Sequence, residues 1–158
     1  MIKEHHGTNG SVSDNKFAIV VSKYHLSITQ KLVDGAKQSL TRNEVPAESI
    51  EVFWVPGAWE IPTATQLVLN RKAFDAVLTF GCVIRGETSH DQHINTTVSN
   101  SLGRLSLDYQ VPVAFGVLTC NTMDQAIARS GGEVGNKGVE TAEAAIHMLL
   151  LQKEMGAN

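Results

Sequence analysis

One short segment holds residue types that together could bind an anion and move a proton. An apolar run ends and is followed directly by Arg85-Gly-Glu-Thr-Ser-His90. Gly86 frees the backbone, and Thr88 or Ser89 can cap the next helix while the preceding amides point outward. Free amides at a helix N-terminus suit a phosphate, and a histidine in the first turn titrates near neutral pH. The segment predicts an anion cradle beside a proton carrier, with His90 as a neutral helix-capping residue as the alternative.

The elements that must position this segment alternate between strand-like and helix-like patterns. Continuous apolar runs are typical of buried parallel strands, and apolar residues every three or four positions are typical of helices. The predicted strands are Phe17–Ser22, Ile50–Val55, Ala76–Ile84 and Val111–Leu118, and the predicted helices are Ser27–Arg42, Glu60–Lys72, Thr88–Tyr109, Asp124–Arg129 and Asn136–Glu154. This alternation predicts an α/β fold, a three-layer αβα sandwich around a four-stranded parallel sheet of flavodoxin-like order 2-1-3-4.

Length and composition fit a single domain. The 158 residues are 42% apolar and 18% charged, with a net charge of −3. Residues 17–158 are expected to form the domain, and the polar residues 1–16 a disordered or loosely attached arm. The scattered charge gives no reason to expect nucleic acid or a membrane as partner, and no apolar run approaches the roughly 20 residues that span a bilayer. A cytoplasmic location is expected because residues 1–16 lack the apolar core of a signal peptide.

The cysteine and histidine patterns do not predict a metal or redox centre. Cys82 and Cys120 fall in or at the end of strand-like runs, which predicts buried reduced thiols. His90 and His93 could chelate a metal on one helix face, but the sequence places no third ligand beside them. We therefore expect no metal site.

Other residues that could contact a ligand follow the predicted strands, where parallel sheets bind ligands. Tyr24 could stack on a planar heterocycle, or cover a helix end. Ala58 permits close approach of a ligand, and Glu60 could accept hydrogen bonds from hydroxyls or amines, or simply cap its helix. Trp59 between them is more typical of packing. Arg129 precedes a glycine-rich break and is suited to clamp an anion, because guanidinium binds phosphate with two hydrogen bonds.

The chain lacks the residues that three activities known on similar folds require. The glycine-rich segment Gly131–Gly138 lacks the spacing and the hydroxyl residue of a triphosphate-binding loop. Ser22–Ser27 lacks the Thr-Gly core of a flavodoxin phosphate loop. A response-regulator receiver needs an aspartate at the end of the third strand, where this chain has Ile84 and Arg85.

Four segments in order resemble the lumazine synthase family. They are Trp54–Pro62 (WVPGAWEIP), Gly81–His90 (GCVIRGETSH), Val111–Thr119 (VPVAFGVLT) and Gly135–Gly138 (GNKG), and the resemblance runs from about Phe17 to Leu151. It implies a transferase of riboflavin biosynthesis that condenses 5-amino-6-(D-ribitylamino)uracil with 3,4-dihydroxy-2-butanone 4-phosphate. The products would be 6,7-dimethyl-8-ribityllumazine, phosphate and water, formed without a metal or organic cofactor. A non-catalytic lumazine- or flavin-binding protein on the same scaffold is the alternative.

The resemblance also implies roles for individual residues. His90 would shuttle protons, and Arg129 would pair with the phosphate. Tyr24 would stack on the pyrimidine, and Glu60 would accept hydrogen bonds from the ribityl hydroxyls. Phe115 would come from the adjacent subunit. The further substrate-binding residues that the resemblance implies are Ala58, Trp59, Cys82, Val83, Ile84, Gly86, Glu87, Thr88 and Lys137.

The chain departs from the family pattern at several positions near the expected site. Tyr24 stands where a Phe or Trp is usual, and His25 replaces a common Asn. Glu87 stands where a small residue is frequent, and Glu133 replaces a common Lys. These changes bear on substrate affinity rather than on the class of reaction.

The family resemblance implies assembly with copies of the same chain. Lumazine synthases form pentamers with sites at the subunit interfaces, and some pack further into icosahedral shells. We therefore expect a pentamer or an assembly of pentamers as the homo-oligomer. Riboflavin synthase is a candidate further partner.

Overall fold

The computed structural model describes residues 1–156 and contains one parallel four-stranded sheet. Its strands are β1 (Phe17–Ser22), β2 (Ile50–Val55), β3 (Ala76–Ile84) and β4 (Val113–Cys120). They lie in the order β2-β1-β3-β4, which confirms the predicted topology. The bounds of the first three strands are also confirmed. β4 starts later than predicted because Pro112 has no backbone N–H for the ladder.

Helices cover both faces of this sheet. They are α1 (Leu26–Arg42), α2 (Ile61–Asn70), α3 (His90–Tyr109), α4 (Met123–Arg129) and α5 (Lys137–Glu154). One apolar core joins the sheet to α1, α4 and α5, and a second joins it to α2 and α3. This arrangement confirms the three-layer αβα sandwich. Within residues 1–156, no helix is long and apolar enough to cross a membrane.

All five helix starts differ from the prediction by one or two residues. At the first two, the backbone rather than a side chain begins the helix. α1 starts at Leu26, one residue before Ser27, where the predicted capping box begins. The carbonyl of His25 accepts hydrogen bonds from the amides of Ile28 and Thr29, and His25 itself is left-handed with φ 58°. α2 is preceded by a separate 3₁₀ turn, Ala58–Glu60, and begins only after it.

Residues 1–16 form no helix or strand and run beside the end of α5. Val12 is buried against the core. Lys153 Nζ donates a hydrogen bond to the carbonyl of Ser11 at 2.7 Å, and Glu154 accepts one from the amide of His6 at 3.2 Å. The division into an arm and a domain at residue 17 stays a prediction.

A small antiparallel hairpin joins α4 to α5. It consists of β5 (Ser130–Gly132) and β6 (Gly135–Asn136). The sequence pattern does not predict it, because strands this short show no alternation of apolar and polar residues. Gly131 and Gly135 have φ values of 108° and 97°, which only glycine adopts readily.

Candidate active site

The carboxyl ends of the parallel strands bring the predicted loops to one edge of the sheet. Ile84 at the end of β3 pairs with Cys120 at the end of β4. The ladder continues into the loops, where the amide of Lys23 donates to the carbonyl of Val55 and the amide of Arg85 donates to that of Cys120, each at 2.8 Å. The loops therefore start side by side.

A cleft of about 660 Å³ lies at this edge. Its size falls within the range of roughly 300–1,000 Å³ that is common for small-molecule sites. The predicted site residues that line it are Tyr24, Ala58, Trp59, Glu60, Cys82, Val83, Ile84, Gly86, Thr88 and His90. Most of the predicted site is thus brought together within one chain.

Tyr24 presents its ring at the rim of this cleft. The side chain is 67% exposed, which favours a ring open to a ligand over one that covers a helix end. The neighbouring His25 ring meets it edge-on, with 4.6 Å between the ring centroids. This contact limits the orientations that the tyrosine can adopt.

Glu60 closes the turn that begins at Gly57. Its Oε2 accepts a hydrogen bond from the Gly57 amide at 3.0 Å, and its own amide donates to the Gly57 carbonyl at 3.2 Å. Glu60 therefore does act as a cap, but of the 3₁₀ turn that precedes α2. A carboxylate has about four acceptor positions, so this bond leaves capacity for a ligand. Trp59 is 56% exposed and lines the cleft, so packing within its own chain covers less than half of its surface.

The first turn of α3 places His90 beside weakly capped amides. Ser89 occupies the N-cap position but makes no side-chain capping bond. The nearest substitute is Thr88, whose Oγ1 accepts from the His90 amide at a long 3.4 Å. The amides of a helix's first turn lack intrahelical partners and carry partial positive charge, which favours an anion there. Glu87 is exposed and does not line the cleft.

Three more predicted site residues also lie outside this cleft. Arg129 lines a separate cleft of about 330 Å³ beside Cys120. Lys137 Nζ forms an ion pair with Glu140 at 3.3 Å. Phe115 is 43% exposed and lies in the first half of β4, away from the carboxyl edge. A single chain therefore does not bring these residues to His90.

Some residues that line the cleft are not among the predicted substrate-binding or catalytic residues. They are His25, Gly57, Asp91, Ile94 and Met123. Helical spacing could have identified Ile94, which lies four positions after His90 and hence on the same helix face. Met123 begins α4, and no local pattern links that helix to the start of α3.

His90 and His93 do not both line the cleft. His90 lines the cleft, whereas His93 is not among its lining residues. In the part of the chain that the structure describes, no three or more His, Cys, Asp or Glu side chains are grouped so as to hold a metal.

Comparison with known proteins assigns the chain to a family. The family model for 6,7-dimethyl-8-ribityllumazine synthase matches residues 14–153. The chain belongs to the lumazine synthase family. A 6,7-dimethyl-8-ribityllumazine synthase of Rhodopirellula baltica is 44% identical over 149 residues, which cover 94% of this chain and 96% of the relative. One of Coxiella burnetii is 46% identical, covering 90% and 95%, and one of Kosmotoga olearia is 43% identical, covering 90% and 91%.

The two cysteines of this lumazine synthase family member are free and buried, as predicted. Burial, and to a smaller extent the nearby Cys120, raises the pKa of Cys82 to about 11. Burial also raises the pKa of Cys120, and Arg129 offsets part of that increase. Because the thiolate is the reactive form, both side chains are neutral and inert near pH 7 and serve as cleft walls.

We expect Cys82 to resist alkylation in the folded protein. A pKa shift from 9.0 to about 11 lowers the thiolate fraction about 100-fold at pH 7.5, so iodoacetamide should label Cys82 at least that much more slowly than in urea-unfolded protein. Mass spectrometry of timed samples measures both rates. Equal labelling rates in the folded and unfolded protein would contradict the burial of Cys82.

The raised pKa of Cys82 also predicts how stability depends on pH. As pH rises from 9 toward 11, the thiol ionises first in the unfolded protein, so the free energy of unfolding should fall. It should fall less in Cys82→Ala.

Proposed function

We propose that the cleft at the carboxyl edge of the sheet is the active site in which this chain condenses 5-amino-6-(D-ribitylamino)uracil with 3,4-dihydroxy-2-butanone 4-phosphate. The products are 6,7-dimethyl-8-ribityllumazine, phosphate and water. The chain is a transferase of riboflavin biosynthesis, as its family membership indicates. The observation that carries the proposed site is that His90 and the first turn of α3 share one cleft with Tyr24 and Glu60.

The pyrimidine substrate would occupy the side of the cleft formed by the loops after β1 and β2. The exposed ring of Tyr24 can stack on the uracil. Val83 and Ile84 end β3 in the wall of the cleft and would offer backbone groups to the uracil edge. Glu60 would accept hydrogen bonds from ribityl hydroxyls with the acceptor positions that Gly57 does not use, and the small Ala58 leaves room for the chain.

The phosphate substrate would bind at the start of α3. Gly86 and Thr88 line the cleft there, and a Cβ at Gly86 would meet no other atom within 4 Å, so the backbone is open to a ligand. Backbone amides in such a position bind phosphate without a side chain, which makes the exposed carboxylate of Glu87 compatible with binding. The same amides would stabilise the phosphate as it leaves.

The reaction needs repeated proton transfers close to the bound anion. The substrate amine attacks the ketone, and the carbinolamine loses water to give an imine. Phosphate is then eliminated, and ring closure releases a second water. His90 would accept and return the protons of these steps, because an imidazole exchanges protons near neutral pH. Holding the two reactants in one cleft supplies a further part of the acceleration.

The non-catalytic alternative is not favoured. The relatives in Rhodopirellula, Coxiella and Kosmotoga are named as synthases. The chain also retains His90 at the cleft and Arg129 at the end of α4. A protein that only binds lumazine or a flavin would need neither a proton carrier nor a phosphate clamp.

We further propose that a neighbouring copy completes each cleft. Phe115 pairs with Thr79 of β3, three positions before Cys82 at the cleft, so about 10 Å of strand separates it from the cleft of its own chain. β4 is the edge strand of the sheet, and Phe115 is exposed on it. Arg129 and Lys137 likewise lie outside the cleft of their own chain. These positions support an oligomer in which one copy supplies Phe115, Arg129 and Lys137 to the next.

A ring of five copies agrees with this proposal, since contacts between unlike surfaces close into rings. Packing of such rings into an icosahedral shell stays a prediction. Association with riboflavin synthase and a cytoplasmic location also stay predictions.

The test of the proposed function is to mix the purified protein with both substrates. We expect lumazine absorbance and inorganic phosphate to rise together, in equal amounts and above the spontaneous reaction, because elimination and ring closure belong to one sequence. Binding of lumazine without turnover would instead support the non-catalytic alternative.

We expect His90→Ala to slow turnover about 10- to 1,000-fold, within the usual contribution of general acid–base catalysis. Initial rates of lumazine formation at saturating substrates measure this effect. His93→Ala is a matched control, because His93 lies one turn further along α3 and does not line the cleft. An unchanged rate in His90→Ala would exclude the proton-transfer role.

Mixed oligomers of His90→Ala and Arg129→Ala should recover activity that neither variant has alone. Arg129→Ala is expected to raise the KM for the phosphate substrate, because a charge-assisted contact is lost. After co-expression in equal amounts, about one quarter of the clefts would combine an intact His90 with an intact neighbouring Arg129. Rates at low phosphate-substrate concentration measure the recovery. Activity no higher than the mean of the two variants would show that Arg129 acts within its own chain.

A further inference from the structure

Asn136 connects three parts of the protein: the hairpin, α1 and the start of α5. Its Oδ1 accepts hydrogen bonds from the amides of Gly138 at 2.7 Å and Val139 at 3.2 Å. Its Nδ2 donates to the carbonyl of Lys31, within α1, at 3.1 Å. Its backbone pairs with Ser130 across β5 and β6. One side chain therefore caps α5 and also ties the cap to another helix.

Both helices are shaped to accept this side chain. A Cβ at Gly35 of α1 would overlap the side-chain amide of Asn136, and a Cβ at Gly138 of α5 would overlap the carbonyl of Leu32. Capping alone does not require such a notch, because Ser, Thr or Asp caps a helix equally well. An amide differs from those residues in offering an acceptor and a donor at once. The notch therefore suits an asparagine that bonds to both helices.

The hairpin brings the backbones of two cationic residues together. Arg129 immediately precedes Ser130, and Lys137 immediately follows Asn136. Ser130 and Asn136 are paired, and paired residues of antiparallel strands have Cα atoms about 5 Å apart. The backbones of Arg129 and Lys137 thus leave the same end of the hairpin, and any movement of that end moves both cations.

We propose that Asn136 is a positioning residue that holds Arg129 and Lys137 in place to bind the phosphate group of the substrate. The inference rests on the proposed function, in which these cations reach the phosphate in a neighbouring cleft. Residues 131–135 are exposed, so the hairpin tip contributes little packing of its own. The bond from Asn136 to Lys31 fixes the other end against α1, whose position the core determines.

Loss of this bond should weaken phosphate binding and leave the chemistry unchanged. His90 lies on α3, on the opposite face of the sheet from α1 and α5. The pyrimidine-binding residues Tyr24 and Glu60 belong to other loops. A looser hairpin therefore affects the KM for the phosphate substrate, while kcat and the KM for the pyrimidine stay the same.

Asn136→Ser is the most informative variant. Serine keeps a capping oxygen for α5 and changes no charge, but it cannot donate to Lys31 across the same distance. We expect the KM for 3,4-dihydroxy-2-butanone 4-phosphate to rise about three- to tenfold, as the loss of one hydrogen bond implies. We expect kcat and the KM for the pyrimidine to change less than about twofold.

Asn43→Ser is the matched control. The Nδ2 of Asn43 donates to the carbonyl of Ser39 at 2.9 Å, so this variant removes the same kind of bond at the other end of α1. It should leave all three constants unchanged. Equal effects in Asn136→Ser and Asn43→Ser, or a fall in kcat alone in Asn136→Ser, would mean a general structural role and would overturn the proposal.

A second variant and a second readout keep the test independent of folding and of the proposed reaction. If Asn136→Ser does not fold, Gly35→Ala replaces it, since the added Cβ displaces the Asn136 side chain while alanine favours helix α1. Calorimetric titration with inorganic phosphate should show weaker binding in either variant than in the wild type. If the wild type forms no lumazine, the proposed function is wrong, and this titration alone decides the role of Asn136. Equal phosphate affinity in wild type and variant would overturn it.

Discussion

The parallel pairing of β3 with β1 and β4 is the constraint on which the rest of the structure depends. β1 is buried on both faces, so a one-residue slip against β3 would exchange the side chains that fill the two cores, which differ in size. β3 continues past β1 and stays paired to β4 as far as Ile84. This extension carries the loop before His90 out to the rim, beside the turns that follow β1 and β2. The cleft is the space between those loops.

Helix α1 supports both halves of the proposed site. The loop before it presents Tyr24 at the cleft, and its own carbonyl at Lys31 holds Asn136 beside the hairpin. One rigid helix thus relates the part of the site that binds the pyrimidine to the part that presents cations. In an oligomer these two parts serve different clefts, so the orientation of α1 would also align neighbouring copies.

The charge that an anionic substrate needs comes from few sources in this chain. The net charge is −3, and the wall between the two clefts contains the neutral thiols of Cys82 and Cys120. In the proposed site, positive potential would come from the first turn of α3 and from Arg129 and Lys137. Backbone amides supply it without a mobile side chain, which explains how a carboxylate at Glu87 can stand so close to the proposed phosphate site.

The sequence by itself determined the bounds of β1 to β3, because apolar periodicity is a local property. The alternation of strands with helices determined the fold class and the sheet order. The sequence also determined the family, through motifs that each lie within one segment. Only the tertiary structure decided that Arg129 and Lys137 lie outside the cleft of their own chain, since this depends on how the helices pack against the sheet. The contact of Asn136 with α1 was likewise hidden, because its partner Lys31 lies 105 residues away in the chain. Contacts of that kind exist only once the helices have packed.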